Sequence, residues 1–170
     1  TTCATYTNTT PVAIPDGLGA NTQGAAVSSV INVPATGNIS DVNVSLNVSH
    51  TYPNDLVLQL VHPNTTTFVN VWNRACGSND NFNVTLSDGS PAFTCVANMT
   101  GTYAPSSPLS AFNNLAANGN WTLYAADFYN TDTGTLNSWG IEVCTAVVQL
   151  NNDTYNLDGF VVYPNPNNGI

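Results

Sequence analysis

Residues 118–144 read NGNWTLYAADFYNTDTGTLNSWGIEVC and contain two alternating apolar patterns on either side of a polar segment. The apolar side chains are Trp121, Leu123 and Ala125 in the first half and Trp139, Ile141 and Val143 in the second. Such alternation is typical of β-strands with one buried face. Asp132–Gly134 supplies turn residues, because Asp hydrogen-bonds nearby backbone and Gly accepts positive φ. We predict a final β-hairpin that places both tryptophans in the core.

Five earlier segments repeat this alternation and are bounded by Pro, Gly and Asn. They are Val27–Val33, Val42–His50, Leu56–His62, Phe68–Trp72 and Phe82–Leu86. Short strands separated by frequent turns are typical of sandwiches and barrels. A chain of 170 residues is expected to form one domain with a sizeable core. We therefore predict an all-β fold, a jelly-roll β-sandwich of about eight strands.

Two segments contain many turn residues and are assigned no strand. Residues Cys3–Gln23 contain several Pro and Gly and are predicted to run irregularly over the surface. Residues Ser87–Ala117 are rich in Pro, Gly and Ser. Within them, Leu109, Phe112 and Leu115 predict one helical turn that covers an end of the sheet.

The charge of the chain excludes two classes of partner. Ten acidic residues face a single base, Arg74, and the formal net charge is -9. A phosphate backbone or an anionic membrane surface would be repelled, and no apolar run is long enough to span a bilayer. We expect neither nucleic-acid binding nor membrane insertion.

Four cysteines without a CxxC motif or a Cys/His cluster indicate disulfides formed in an oxidising compartment rather than a zinc site. Four cysteines allow three pairings. We favour Cys3 with Cys144, which would tie the N-terminal segment to the last strand, and Cys76 with Cys95, which would close a local loop. In the chain-entropy model the two bridges contribute about 4–5 and about 3 kcal/mol.

Five motifs, in order, carry a resemblance to a known family. They are HTYPNDLVLQLVHPNTT at 50–66, GTY at 101–103, LSAF at 109–112, NGNWTL at 118–123 and DTGTLNSW at 132–139. Together they resemble the P domain, also called the P/Homo B domain, of kexin-like and proprotein-convertase-like proteases, over roughly Ile14 to Val143. The two cysteine pairs and the segment Phe93–Met99 depart from the family pattern.

The resemblance implies a jelly roll that follows a protease domain, usually subtilisin-like and in bacteria sometimes a metalloprotease. The implied role is non-catalytic: to stabilise the catalytic domain, to adjust its calcium and pH response, and in some members to assist binding of the protein substrate. The implied location is secreted or at the cell surface. By itself the chain is therefore predicted not to be an enzyme, and its partner is the catalytic domain of the same polypeptide.

The composition changes after Cys144, where Thr145–Gly159 shows no core pattern. The segment Val162–Pro166, with its Tyr-Pro-Asn-Pro sequence, resembles the start of the C-terminal sorting domain of the type IX secretion system of Bacteroidetes. We predict a P-domain-like jelly roll at residues 1–146, followed at 147–170 by a linker and the truncated start of that sorting domain.

The two histidines are candidates for a catalytic base, but the sequence favours a structural role. His50 and His62 both lie at strand ends on the apolar parity, and no Gly-x-Ser-x-Gly elbow is present. Paired carboxylates for glycoside hydrolysis are unsupported, since the chain has one Glu and its Asp residues lie in turns. We assign no catalytic residue.

Turn aspartates suit calcium, which binds carboxylate, amide and carbonyl oxygens. We predict the ligands Asp55, Asp80, Asp88 and Asp127, converging from different loops. Asp127 continues the inward parity of β-strand residues 121–125, where an unpaired carboxylate would be costly. The competing interpretation is that these aspartates cap backbone amides in ordinary turns.

A second function class stays open, namely a carbohydrate- or surface-binding β-sandwich. Aromatic side chains could form a platform on which sugars stack, and the candidates are Trp72, Trp121, Trp139, Tyr103 and Tyr129. Strand parity nevertheless places Trp121 and Trp139 inside the core. We therefore favour the protease accessory domain.

Overall fold

A computed structural model describes residues 1–147, and this part of the chain is built from β-strands and two single 3₁₀ turns. The strands are β1 (Thr2–Asn8), β2 (Val12–Ile14), β3 (Val27–Val33), β4 (Ile39–His50), β5 (Leu56–Val61), β6 (Phe68–Asn73), β7 (Phe82–Leu86), β8 (Met99–Tyr103), β9 (Gly119–Asp127) and β10 (Gly134–Thr145). The 3₁₀ turns cover Pro53–Asp55 and Leu109–Phe112, the second at the predicted helical turn.

The strands form two sheets packed face to face, as the sequence predicts. One sheet has the order β1-β10-β4-β7-β8, with β2 also paired to β10, and the other has the order β3-β9-β5-β6. The all-β sandwich is thus confirmed, and the described residues contain ten strands where about eight were predicted. The additional strands are β1 and β2 near the N-terminus and β8, which pairs in parallel with β7.

The predicted final hairpin is wrong, because β9 and β10 belong to opposite sheets. Strand β9 lies between β3 and β5, whereas β10 lies between β1 and β4. Residues 128–133 therefore cross from one sheet to the other. Trp121 and Trp139 still point inward, with 0% and 2% of their surface exposed. Alternation shows that a side chain faces the core. Because both sheets face the same core, alternation does not show to which sheet a strand belongs.

Inward side chains from both sheets fill the interior. Val44 and Leu46 of β4, Leu58 of β5, Leu123 of β9 and Ile141 of β10 are each 0% exposed. Burying one such side chain contributes about 1.5–3 kcal/mol. The contiguous core shows that the two sheets hold each other in place.

The N-terminal segment predicted to be irregular is so only after Ile14, because β1 pairs with β10 along its whole length and β2 also pairs with β10, whereas residues 15–26 form no strand. Cys3 lies opposite Cys144 in this ladder, and the two are joined by a disulfide. The second disulfide joins Cys76 to Cys95. These are the pairs that the sequence analysis favours. Strand β1 consists largely of Thr and Asn residues, so it lacks the alternating apolar pattern that marks an inner strand.

In the described part of the chain, no helix is long and apolar enough to cross a membrane. The linker and sorting segment predicted at 147–170, including Val162–Pro166, lie outside the described residues apart from position 147.

Candidate functional site

A buried acid–base pair joins the two sheets at one end of the sandwich. His50 is the last residue of β4 and Asp127 is the last residue of β9. The His50 Nε2 and Asp127 Oδ2 atoms are 2.8 Å apart, and neither side chain is exposed. The inward parity predicted for both residues is confirmed, and each is the partner that the other needs, because an unpaired buried carboxylate would be costly.

The remaining polar atoms of this pair are also occupied. The Tyr52 N–H donates to His50 Nδ1 over 3.0 Å, so the Nε2 atom carries the ring proton and donates to Asp127. The Tyr129 N–H donates to Asp127 Oδ1 over 2.9 Å. Because both ring nitrogens are engaged inside the fold, His50 cannot reach a substrate as a base. The geometry is that of a structural cross-link.

A second carboxyl group lies beside this pair. Asp55 ends the first 3₁₀ turn and is 3% exposed. Burial raises the pKa of Asp55 above its ordinary value of 3.8, and repulsion from Asp127 and then Asp132 raises it further. The electrostatic effects of His50 and Arg74 lower the pKa of Asp55. Three carboxyl groups, those of Asp55, Asp127 and Asp132, therefore lie near one another at the end of the sandwich that contains His50, which we call the His50 end.

The surface of this end forms a pocket of about 340 Å³, and its rim includes Tyr52, Asp55, Arg74, Tyr129 and Asp132. The Thr51 hydroxyl donates to Asp132 Oδ1 over 2.7 Å. We call this the loop pocket. The sequence indicates only a turn at Asp132, because its position beside Asp55 follows from the crossover after β9, which local alternation does not reveal.

The four aspartates predicted to bind calcium do not come together. Asp88 caps the second 3₁₀ turn, with the Leu109 and Ser110 N–H groups donating to its two oxygens over 2.9 and 2.8 Å. Asp80 is exposed, and its backbone carbonyl accepts from Asn98. Within residues 1–147, no group of three or more His, Cys, Asp or Glu side chains is arranged to hold a metal ion. The joint four-residue site is therefore wrong, and the capping interpretation holds for Asp88. Calcium binding itself stays a prediction.

The second histidine occupies the opposite end of the sandwich. The Asn64 N–H donates to His62 Nδ1 over 3.0 Å, and His62 Nε2 donates to the Ala116 carbonyl over 2.8 Å. The Trp121 ring meets the imidazole edge-on at 4.8 Å between centroids. His62 thus forms hydrogen bonds with two backbone groups and packs in the core, which is a structural role.

The three tryptophans are core residues, since Trp72, Trp121 and Trp139 are at most 2% exposed. Each indole N–H donates inside the protein, to Pro53, Ala117 and Ser29 respectively. The sugar-stacking platform drawn from these residues is therefore wrong.

A larger cavity of about 540 Å³ lies on the outer face of the sheet β3-β9-β5-β6. We call it the outer cavity. Ten residues line it, none of them acidic, and the polar ones are Gln23, Gln59, Asn70, Asn73, Arg74 and Tyr124. The sequence analysis did not single out Tyr124, although its parity on β9, opposite to that of Trp121, marks it as an outward aromatic residue.

Comparison with known proteins agrees with this architecture. Residues 39–143 match the family described as the proprotein convertase P-domain. The chain is 35% identical over 135 residues to a transglutaminase-activating metalloprotease of Streptomyces mobaraensis, covering 79% of this chain and 14% of that protein. It is 35% identical over 138 residues to leupeptin-inactivating enzyme 1 of Streptomyces exfoliatus, covering 80% of this chain and 25% of that protein.

Among solved structures, a serine protease of Aeromonas sobria aligns with 84% of this chain and 27% of its own, at 15% identity and a TM-score of 0.49. The chain spans a quarter or less of the two Streptomyces relatives. By the match over residues 39–143, the chain belongs to the proprotein convertase P-domain family, a family of non-catalytic domains attached to proteases.

Proposed function

We propose that this chain is the accessory domain of a secreted protease and that it stabilises the catalytic domain of the same polypeptide. The family match over residues 39–143 carries the proposal. The enclosed histidines support it, because the ring nitrogens of His50 and His62 are all engaged inside the fold. An accessory role requires a stable fold rather than an accessible base.

Of the two parent classes, a metalloprotease is favoured over a subtilisin-like serine endopeptidase. The relative from Streptomyces mobaraensis, 35% identical, is named a metalloprotease. Secretion is supported by the two disulfides, which persist in oxidising compartments. Assistance in binding the protein substrate and calcium dependence belong to the same proposal. So does a sorting role for residues 147–170, which deletion of that segment would test by retaining the protein in the cell.

The test uses the complete natural polypeptide that contains this chain. We would compare it with a version lacking residues 1–147 and with a control lacking only residues 148–170. We expect the first deletion to shorten the half-life of proteolytic activity at elevated temperature, while the control keeps it, because binding between folded domains stabilises both. Equal half-lives, or a natural polypeptide without a protease domain, would overturn the proposal.

A further inference from the structure

The outer cavity has a row of side chains that the accessory role does not use. Tyr124 of β9 lies opposite Gln59 of β5, which in turn lies opposite Asn70 of β6. On the other side Tyr124 lies opposite Ser28 of β3. The row thus crosses all four strands, and three strand spacings give it a length of roughly 14 Å. Tyr124 is 42% exposed, so its ring is open to solvent.

The amide groups in this row both donate and accept hydrogen bonds. Gln59 Nε2 donates to Asn70 Oδ1 over 3.0 Å, which fixes the two amides relative to each other, and both residues line the outer cavity. Gln23 and Asn73 add two more amides at the rim. Sugar hydroxyls also donate and accept, so four amides beside an exposed aromatic ring suit a saccharide better than they suit an apolar ligand.

Arg74, the only Lys or Arg residue of the chain, lines the same cavity. Arg74 packs against the rings of Phe128 and Tyr129, at 5.4 and 5.2 Å from their centroids. Its Nε donates to the Asn54 carbonyl over 3.2 Å, and its Nη1 donates to Asn21 Oδ1. The guanidinium is therefore held in one orientation with further N–H groups to offer.

The charge of the residues that line the outer cavity favours a ligand with a carboxylate. In the described part of the chain, no carboxylate lies within ion-pair distance of Arg74, although Asp55 and Asp132 share the loop pocket with it. The ten residues that line the outer cavity include no acid, although the whole chain carries a formal charge of -9. Arginine binds carboxylates through two parallel N–H groups, which is stronger than a neutral hydrogen bond.

We propose that the outer cavity binds an oligosaccharide that carries carboxylates, of the uronic acid class. Tyr124 packs against the apolar face of one sugar ring, the amides of Gln59, Asn70 and Asn73 bind hydroxyls, and Arg74 binds a carboxylate. This site is separate from the protease accessory role, since it needs no catalytic domain, although Arg74 lines both the outer cavity and the loop pocket. Its test therefore succeeds or fails independently of that role.

The test is calorimetric titration of the 170-residue chain with a galacturonic acid tetramer. Two comparison ligands of equal length are a neutral glucose tetramer and a tetraglutamate peptide. We expect binding of the acidic sugar, with the neutral sugar and the peptide each at least tenfold weaker. Failure of the acidic sugar to bind at millimolar concentration would overturn the proposal, and so would tighter binding of the peptide, which would identify an acidic protein segment as the ligand.

Variants identify the site. Arg74→Gln should weaken binding of the acidic sugar roughly tenfold to a hundredfold, the range for a hydrogen bond to a charged group, and leave the neutral sugar unchanged. Tyr124→Ala should weaken both sugars, whereas the control Tyr52→Ala, at an exposed tyrosine of the loop pocket, should weaken neither.

A charge test completes the set. Asn73→Asp should weaken the acidic sugar, and Asn83→Asp, the same change on β7 of the other sheet, should not. Melting curves would verify that each variant is folded. Equal weakening by Asn73→Asp and Asn83→Asp would show that only net charge matters and would overturn the assignment of the site.

Discussion

His50 and His62 occupy opposite ends of the sandwich and share one local arrangement. In each case the ring Nδ1 accepts the N–H of the residue two positions later, Tyr52 or Asn64, which fixes the proton on Nε2. The partners of Nε2 differ: a buried carboxylate for His50 and a neutral carbonyl for His62. The same turn can therefore follow a strand with either a charged or a neutral partner for the histidine, and the electrostatic cost of burying the histidine and its partner differs between the two ends.

Among the described residues, the buried carboxyl groups, Asp55 and Asp127, both lie at the end of the sandwich that contains His50. Asp127 is paired, but Asp55 and Asp132 remain near it, and the pKa of Asp55 is raised. A buried pair contributes little net stability while it is intact, yet loss of one member leaves the other charge uncompensated. We therefore expect the His50 end to respond to mutation, metal and pH more strongly than the His62 end.

The largest effect should follow from His50→Leu. It leaves the buried Asp127 carboxylate without its side-chain donor and should lower the free energy of unfolding by about 3–5 kcal/mol, the range for breaking a buried pair, measured by urea denaturation. The double variant His50→Leu with Asp127→Leu should recover part of this loss, and Asp80→Ala, at an exposed aspartate, should change little. A loss below about 1 kcal/mol would show that the pair is not the cross-link described above.

The His62 end should give a smaller loss. His62→Leu leaves the Ala116 carbonyl without its donor and should cost about 1–3 kcal/mol, the usual penalty for an unsatisfied buried polar group. The same denaturation experiment compares the two ends directly. If His62→Leu destabilises more than His50→Leu, the electrostatic distinction between the ends is wrong.

Calcium is predicted to act at the His50 end by offsetting the charge of Asp55 and its neighbours. At a tenfold excess over its dissociation constant, an ion that binds only the folded chain stabilises it by about 1.4 kcal/mol. The melting temperature should rise when calcium replaces EDTA, and Asp55→Asn should reduce the rise while Asp80→Asn keeps it. Identical melting curves from metal-free protein in both buffers would refute the calcium prediction.

The smallest change in stability is expected from Asp55→Asn, and it should depend on pH. The folded pKa of Asp55 is raised above 3.8, so the folded state binds the proton more tightly than the unfolded state. Stability is therefore lost as the pH rises from about the unfolded pKa through the folded pKa. The variant should be more stable than the wild type at pH 7, and the difference should vanish in acid. A gain that persists below the unfolded pKa would contradict this linkage.

Much of the fold could be predicted because inner strands bury one face. The alternating pattern placed β3 at Val27–Val33 without error and β4, β5 and β6 to within a few residues. Strand β8, Met99–Tyr103, pairs only with β7 at the sheet edge and buries few side chains, so its sequence shows no alternation. The crossover after β9 could not be predicted, because a polar turn that joins two strands of one sheet has the same sequence pattern as a turn that joins strands of two sheets.

The candidate site was only half predictable. Parity indicated that His50 and Asp127 both face inward, but 77 positions separate them, and nothing local shows that they meet. Asp88 illustrates the opposite case, because a turn aspartate that caps backbone N–H groups resembles a metal ligand in sequence. For Tyr124 the signal was present, since an aromatic residue on the outward parity marks an exposed face.

The central claim is that His50 and Asp127 form a structural cross-link in a domain without catalytic activity of its own. The most direct measurement is hydrolysis of casein and of peptide esters by the isolated 170-residue chain. Because both nitrogens of His50 are engaged and the side chain is buried, we predict no hydrolysis above a blank. Activity that survives repurification and disappears in His50→Gln would contradict the account.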